Sequence, residues 1–396
     1  MTDASDFDIS ASPLSEIGAA EWDRCANPLP EVVEPETHNP FVSHAFLSAL
    51  EDSGCASART GWAPAHVTVR KASGELVAAA PCYLKSHSMG EYVFDGGWAD
   101  AYERAGGNYY PKLQASVPFT PVTGPRLLVA PGPDAGNARQ VLEAGLEALR
   151  RQSGASSTHI TFLPEHDAKS LSDESYLLRT GEQFHWIDDG CGDFEGFLGS
   201  LASRKRKAIR RERRDALSAG ITVEHLTGST ISEAHWDAFF AFYTDTGTRK
   251  WGRPYLNRRF FSLLGERMAE RVLLVMAKRE GHYIAGAINL IGDRALYGRN
   301  WGCVEDHPFL HFEICYYQAI DFALANGLAR VEAGAQGEHK LARGYRPVTT
   351  YSAHLIGDPG LRRAVAAYLE RERGHVAAAH EEYDAALPFR RCEADD

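Results

Sequence analysis

Two stretches decide the fold of this chain: VTVRKASGELVAAAPCYL at residues 67–84 and VMAKREGHYIAGAINLI at residues 275–291. Each reads as a strand that ends in a basic pair, a turn that contains a glycine, and a second strand of small apolar residues. Two hairpins of the same type, about half a chain apart, indicate a duplicated α/β unit. A chance similarity between two unrelated hairpins is the alternative.

The length and composition favour two domains. The 396 residues exceed what one hydrophobic core usually holds. Contents of 44% hydrophobic and 24% charged residues are ordinary for a soluble globular protein. We predict a loose lead-in at residues 1–40, a first domain at 41–192, and a second domain at 193–396 that opens with a basic helix.

Charge, apolar runs and cysteines exclude several classes of protein. A net charge of −11 argues against non-specific binding of nucleic acid, so any polyanion site must be a local patch. No apolar run approaches the roughly 18 residues that span a bilayer, and the acidic start MTDASDFDISASPLSEIG does not read as a secretory signal. The seven cysteines are scattered and form no CxxC pair, which favours reduced thiols in a cytoplasmic protein and argues against zinc.

An aromatic, glycine-rich segment occupies residues 90–125 of the predicted first domain. We predict that it is a long irregular segment, and its many aromatic residues argue against disorder. Two interpretations stay open. The segment is either a packed loop with a small core of its own, or the wall of a substrate pocket to which Tyr109 and Tyr110 contribute.

The run SRKRKAIRRERR at residues 203–214 concentrates eight basic residues on an otherwise acidic chain. We predict that it lies on a long helix from about residue 193 to residue 218. Helical spacing places Arg206 and Arg210 in one row, where guanidinium groups could contact the phosphates of a donor. A solvated helix face is the alternative.

The stretch LYGRNWGCVEDHPFLHFE at residues 296–313 predicts a strand that leads into a helix. Helix N-termini present free N–H groups to ligands, so Arg299, Trp301, His307 and Glu313 are candidates for substrate or donor binding. Glu313 is equally explained by its favourable position early in a helix. His307 lies four residues before His311, but no companion His or Cys pair is visible, and we expect no metal.

The densest group of polar residues is EAGAQGEHKLARGY at residues 332–345. It follows a predicted strand, where α/β sheets tend to bind ligands, and its glycines permit close backbone approach. Our catalytic candidates are Glu338, His339 and Lys340. Our binding candidates in this segment are Gln336, Arg343 and Tyr345. A solvated loop is the alternative.

The tandem hairpins, the basic helix and the ending AGAQGEHKLARGY resemble the FemABX-like branch of the GNAT N-acyltransferase superfamily. The stretches HNPFVSHAFLSALE and HFEICYYQAIDFALANGLARVEAGAQGEHKLARGYRP resemble bacterial N-acyltransferases of the peptidoglycan-bridge type. The resemblance covers most of residues 38–357. It implies an α/β (α+β) fold of two tandem GNAT-like units, each a twisted, mostly antiparallel sheet flanked by helices.

The resemblance also implies transfer of an acyl or aminoacyl group from a thioester or a tRNA ester to an amine, and it gives Lys340 an active-site role. One departure concerns the donor. Where acetyl-CoA-dependent relatives carry an Arg/Gln-x-x-Gly-x-Gly/Ala pyrophosphate loop, this chain has GCVEDHPFLHF between Trp301 and Phe312. That difference favours a tRNA donor or an unusual donor.

The chemistry of such a transfer requires a neutral amine, a proton acceptor and a partner for the oxyanion. Glu338 or His339 could accept the proton, and Lys340 or a backbone N–H near Gly302 could stabilise the oxyanion. We expect acyl-CoA or aminoacyl-tRNA as co-substrate, a small-molecule or peptide amine as acceptor, and no tightly bound cofactor. The alternative is a non-catalytic GNAT-like protein that binds a cell-wall precursor or a nucleotide-linked ligand.

Overall fold

The computed structural model describes residues 7–29, 38–251, 254–334 and 337–390. The chain divides into two compact units, here called the first unit (residues 1–181 and 350–376) and the second unit (residues 182–349 and 377–396). The segment 350–376 thus belongs with the first unit, although the sequence places it near the end of the chain.

The first unit contains a four-stranded antiparallel sheet, a second sheet and flanking helices. Its elements up to the boundary are β1 (Phe7–Ser12), α1 (Ala19–Ala26), α2 (His44–Asp52), β2 (Trp62–Pro64), β3 (His66–Lys71), β4 (Leu76–Ala80), β5 (Cys82–Lys85), α3 (Gly96–Arg104), β6 (Lys112–Ala115), β7 (Leu128–Val129), α4 (Ala135–Gln152), β8 (Ser157–Leu163), α5 (Glu165–Glu174) and β9 (Leu177–Ile187), the last of which crosses into the second unit.

The second unit continues from β9. Its elements are α6 (Phe194–Ser200), α7 (Ser203–Ala216), β10 (Thr222–Thr227), α8 (Glu233–Trp251), α9 (Arg258–Met268), β11 (Val272–Arg279), β12 (His282–Ile291), β13 (Ala295–Cys303), α10 (Leu310–Phe312), a π-helical turn (Glu313–Tyr317), α11 (Gln318–Ala325) and β14 (Arg330–Glu332). The strand β15 (Arg346–Ile356) and the helix α12 (Pro359–Ala385) each contain a unit boundary.

The two predicted hairpins are confirmed, one in each unit. β3 pairs antiparallel with β4, and β11 pairs antiparallel with β12. Both hairpins show a register shift close to the turn. Their turn glycines, Gly74 and Gly281, have φ values of 86° and 80°, which a residue with a Cβ rarely adopts.

The sheets differ in how they are built. In the first unit, the order β1-β3-β4-β7 is antiparallel throughout. In the second unit, the order is β10-β11-β12-β13-β14-β9, and only the β13–β14 pair is parallel. The second core includes Trp186, Leu273, Val275, Ile314 and Tyr317, which are all fully buried.

Three predictions about local structure need correction. The lead-in is not loose at residues 7–29, because β1 pairs with β3, and Trp22 of α1 is buried and donates to the Val42 carbonyl at 2.8 Å. The segment 90–125 contains α3 and β6 and is not irregular throughout. The long helix predicted from 193 to 218 is interrupted at Leu201, which is buried and bridges to Phe389.

Candidate functional site

The candidate site in the second unit forms where the pairing between the neighbouring strands β13 and β14 ends. β13 and β14 run parallel and pair through Ala295–Tyr297 and Arg330–Glu332. β13 then continues to Cys303, while the chain leaves β14 at Glu332 and enters the polar segment identified in the sequence. A register shift against β12, between Ala287 and Asn289, falls on the same part of β13.

Lys340 is the buried cation of this site. It lies on a 3₁₀ turn (Glu338–Arg343), and its residue is 3% exposed. Its Nζ donates to the Gly334 carbonyl at 3.1 Å and lies 5.8 Å from the centre of the Phe184 ring. Among the side chains that the structure describes, no carboxylate forms an ion pair with it. Burial lowers the pKa of Lys340 from 10.5 to about 8.

His339, which directly precedes Lys340 in the chain, is exposed. Its Nε2 lies 2.9 Å from the hydroxyl of Tyr316, and its ring lies 5.6 Å from that of Phe312. Partial burial lowers the pKa of His339 first, and the charges of Arg343 and Lys340 lower it further. A neutral imidazole at neutral pH can accept a proton.

Arg343 fastens the 3₁₀ turn to the basic helix α7. Its guanidinium donates to both carboxylate oxygens of Glu212 at 3.0 and 2.9 Å and to the His339 carbonyl at 2.7 Å. It also stacks 3.4 Å from the centre of the Phe312 ring. The hydroxyl of Tyr317 donates to the same Glu212 carboxylate. The two oxygens of Glu212 therefore fix the position of the turn that carries Lys340.

A second ion pair shows that part of the basic run is structural. Glu313 is fully buried and accepts from Arg213 at 2.9 Å and from Gln318 at 2.7 Å. Arg213 also donates to Asp321 at 2.6 Å. Ligand binding by Glu313 stays a prediction, and the structure shows its carboxylate already paired. The half-buried Arg213 compensates the fully buried Glu313 carboxylate where α7 packs on the π-helical turn.

A cavity of about 280 Å³ opens beside the end of β13. Six of its lining residues supply its chemical character: Trp301, Glu305, Asp306, His307, Leu310 and His311. The structure thus brings the predicted residues Trp301 and His307 together. Ring contacts connect this cavity to the 3₁₀ turn, since His311 lies 5.2 Å from Trp301 and 6.2 Å from His339.

The predicted phosphate-binding residues lie on α7, on the part of the helix that faces solvent. Arg210 is exposed and is paired with Glu195, whereas Arg206 is half-buried and has no ion pair among the described residues. The first turns of α7 also carry Arg204, Lys205 and Lys207. Cations at a helix N-terminus oppose the helix dipole, so helix stability does not explain them.

The remaining candidates are scattered. Arg299 lies on β13 at the register shift, and Tyr345 is fully buried in the second core. Gln336 and the Glu338 side chain lie outside the described part of the chain. The structure thus shows Tyr345 in a packing position, and its predicted role in ligand binding stays a prediction.

Tyr109 and Tyr110 lie in the first unit. Tyr109 is fully buried and donates to Asp95 at 2.7 Å, and Tyr110 is half-buried and donates to Ser88 at 2.8 Å. The hydroxyl of Tyr109 also lies 3.3 Å from Nε2 of His159. Tyr109 is thus part of a buried polar cluster, which fits the packed-loop alternative, and its predicted role in ligand binding stays a prediction.

That polar cluster centres on Lys112, whose side chain is 0% exposed. Its Nζ donates to Asp95 at 2.6 Å, to Glu91 at 2.7 Å and to Ser88 at 2.9 Å. Burial raises the pKa of Asp95, but the charge of Lys112 outweighs it and holds that pKa below its usual range. Lys112 is therefore a fully compensated buried cation.

Sequence reasoning missed Glu212, Tyr316 and Phe312. Glu212 had a signal, because it is the one acidic residue within the run of basic residues at 203–214. Tyr316 and Phe312 read as part of an apolar helix face. The π-helical turn that contains Tyr316 has no signature in the sequence, although such turns are frequent at functional sites.

Comparison with known proteins places this geometry in a family. A family model described as FemAB-like, peptidoglycan biosynthesis/recognition, matches residues 13–391. The chain belongs to the FemAB-like family. No curated protein matches the sequence of this FemAB-like chain. None of the helices in the described ranges is long and apolar enough to cross a membrane.

Solved structures agree on the fold. The C-terminal domain of a protein described as a lysylphosphatidylglycerol synthetase, from Agrobacterium fabrum, has a TM-score of 0.51 at 11% identity and covers 89% of this chain and 96% of its own. FemX (TM-score 0.49, 12% identity, 78% and 91% covered) and a tandem GNAT protein of the clavulanic acid pathway (0.45, 12%, 89% and 99%) are also similar. The FemAB-like chain has a mixed α/β fold, as predicted, and shares it with the synthetase domain.

Proposed function

We propose that this FemAB-like chain is an N-acyltransferase that moves an acyl or aminoacyl group from an activated donor to an amine, with Lys340 as its central cation. The observation that carries the proposal is the state of Lys340. It is buried, bonded to one backbone carbonyl and, among the described side chains, paired with no carboxylate. A buried cation without a counter-charge destabilises the fold, so its retention points to a role in chemistry.

In the proposed reaction, the amine, the donor carbonyl and Lys340 each have one role. The neutral amine attacks the carbonyl carbon, and an oxyanion develops as the C–N bond forms. The ammonium of Lys340 stabilises that oxyanion, an interaction that is strongest where water is excluded. The amine then loses a proton, and the C–O or C–S bond to the donor breaks, so that the proton ends on the departing alcohol or thiol.

The proton acceptor is His339 or Glu338. His339 is exposed, it is held by the Tyr316 hydroxyl at 2.9 Å, and its lowered pKa keeps the imidazole neutral at neutral pH. These properties favour His339. Arg343 acts indirectly, because its bonds to Glu212 and to the His339 carbonyl hold the turn in place.

Two classes of donor remain, acyl-CoA and aminoacyl-tRNA. Both carry phosphates, and the cations in the first turns of α7, Arg206 among them, could bind them. An acyl-CoA has few phosphates within reach of one helix, whereas a tRNA backbone offers many. The salt dependence of donor binding therefore separates the two classes.

The experiment compares Lys340→Met with a matched control, Lys169→Met, at an exposed lysine paired with Glu165 in the first unit. The assays follow thiol release from a panel of acyl-CoAs and deacylation of aminoacyl-tRNAs in the presence of amine acceptors. We expect Lys340→Met to lower the transfer rate by roughly 100- to 1,000-fold, as for the loss of one oxyanion partner.

The control variant should keep the wild-type rate. A wild-type rate in Lys340→Met would remove Lys340 from the mechanism. Tight binding of a nucleotide-linked ligand without turnover on any donor would favour the non-catalytic alternative over the transferase.

A further inference from the structure

The cavity beside β13 is lined in part by acidic side chains. Two carboxylates, Glu305 and Asp306, line it where the chain passes from β13 towards α10. Glu305 accepts two bonds from Arg279, at 2.8 and 3.2 Å, and lies 2.8 Å from Nε2 of His307. Arg279 first, and then His307, lower the pKa of Glu305 to about 2, so Glu305 stays ionised at any working pH.

Asp306 differs from Glu305 because its charge is not compensated. It is exposed, and no cation among the described residues forms an ion pair or a hydrogen bond with it. Its side chain also does not cap the following helix, whose first residue bonds to the His307 carbonyl instead. The cavity therefore presents one free carboxylate to whatever enters it.

Aromatic rings form another part of the cavity wall. Trp301 lines the cavity and is half-buried, with the His311 ring 5.2 Å away. An indole face attracts a cation, and the attraction grows as water is excluded. A carboxylate together with an indole face in a cavity of about 280 Å³ matches a small organic cation and repels an anion.

We propose that this cavity is a binding site for a primary alkylammonium group, with Asp306 as its counter-ion and Trp301 as its aromatic wall. The proposal rests on the transferase function and names the chemistry of one of its substrates. The ammonium comes from one of two sources: the α-amino group of an aminoacyl donor or a side-chain amine of the acceptor. Ring contacts from Trp301 through His311 to His339, of 5.2 and 6.2 Å, link the wall of this cavity to the proposed reaction centre.

The test measures binding and needs no turnover. The full chain is labelled with 5-fluorotryptophan, and the ¹⁹F signal of Trp301 is assigned with Trp301→Phe. The probes are n-butylammonium, 1-butanol as its neutral analogue, inorganic pyrophosphate, glycine methyl ester for the donor source, and Nα-acetyl-lysinamide for the acceptor source. The variants are Asp306→Asn and a matched control, Asp100→Asn, at an exposed position of α3.

We expect the ammonium probes, and neither butanol nor pyrophosphate, to shift the Trp301 signal. Asp306→Asn should raise their Kd by roughly 5- to 30-fold, as expected for losing one charge-assisted contact, and Asp100→Asn should leave it unchanged. The tighter of glycine methyl ester and Nα-acetyl-lysinamide identifies the source. An equal response to butanol or pyrophosphate, or an unchanged Kd in Asp306→Asn, overturns the proposal.

This outcome is separable from that of the transferase assay. If the protein transfers acyl groups but no ammonium probe moves the Trp301 signal, the cavity proposal fails and the transferase proposal stands. If ammonium binds through Asp306 but Lys340→Met changes no rate, the cavity proposal stands and the proposed mechanism fails.

Discussion

Two of the three buried lysines that the structure describes, Lys112 in the first unit and Lys340 in the second, occupy opposite electrostatic situations. Lys112 of the first unit has two carboxylates, Glu91 and Asp95, within 2.7 Å of its Nζ. Lys340 of the second unit has a backbone carbonyl at 3.1 Å and no carboxylate among the described side chains. Both lysines are about equally shielded from water, since neither residue is more than 3% exposed.

The difference separates a cation that stabilises the fold from one that is available for chemistry. A compensated lysine loses its hydration, and ion pairs and hydrogen bonds replace the lost interactions with water. An uncompensated lysine loses its hydration and gains no ion pair in exchange, so its pKa falls. Burial alone would not distinguish the two, whereas the partners of each Nζ do.

The largest expected effect is on stability, at Lys112. Lys112→Met removes the cation, which leaves Asp95 buried without its ammonium partner and Glu91 with Lys85 alone, at 3.6 Å. Breaking a buried pair in this way typically costs about 3–5 kcal/mol of the free energy of unfolding. Chemical denaturation at pH 7 measures it, with Lys169→Met as the exposed control. A loss below about 1 kcal/mol would show that Lys112 is not the compensated cation described here.

The next largest expected effect is a gain in stability, at Lys340. Lys340→Met should raise the free energy of unfolding at pH 7 by up to about 3 kcal/mol, which corresponds to a pKa lowered from 10.5 to about 8. The unfolded chain binds more protons than the folded chain between about pH 8 and pH 10.5. Wild-type stability therefore rises with pH across that window, and the advantage of the variant fades.

Denaturation curves at pH 7 and pH 10 for both proteins measure this change. A variant that is less stable than the wild type at pH 7 would mean that the Lys340 ammonium has a stabilising partner.

A smaller loss is expected when the turn that carries Lys340 is loosened. Glu212→Gln leaves the Arg343 guanidinium buried without its carboxylate, and hydrogen bonds to charged groups contribute about 1.5–3 kcal/mol. Arg214→Gln on the same helix is the control, because that arginine is exposed and pairs only with Asp215. An equal, small change in both variants would argue against Glu212 as the anchor of the turn.

The smallest effect on stability, and the most informative about the donor, concerns α7. Arg206→Gln should change stability by less than about 0.5 kcal/mol. It should weaken binding of a phosphate-bearing donor and flatten the log–log salt slope by about 0.7 if the donor is single-stranded nucleic acid at that contact. An unchanged slope, measured by fluorescence anisotropy on labelled RNA, would return Arg206 to the role of a solvated surface residue.

Much of the fold could be predicted because periodicity and turn residues act locally. The two hairpins, β3–β4 and β11–β12, appear where short apolar strands around a glycine turn predicted them. The ordered N-terminal strand β1 could not be predicted, because FDISAS is stabilised by pairing with β3, some 60 residues further along the chain.

The sequence indicated which types of residue the candidate site contains, but not the contacts that each residue makes. The density of polar residues drew attention to the segment around Lys340, but the sequence did not reveal that Lys340 is buried. Glu313, Tyr345 and Tyr109 were placed in binding roles because the sequence does not reveal that their polar atoms face partners within the core. Whether a charged residue is compensated depends on contacts such as Arg213 with Glu313, which are 100 residues apart.

The most direct test of the central claim is the titration of Lys340 itself. In protein labelled with ¹³C at the lysine Cε, the Lys340 signal is assigned by its loss in Lys340→Met and followed from pH 6 to pH 11. The account predicts a midpoint near pH 8, because burial without a counter-charge lowers the pKa of this ammonium. A midpoint at or above about 10.4, the value of an ordinary lysine, would contradict it.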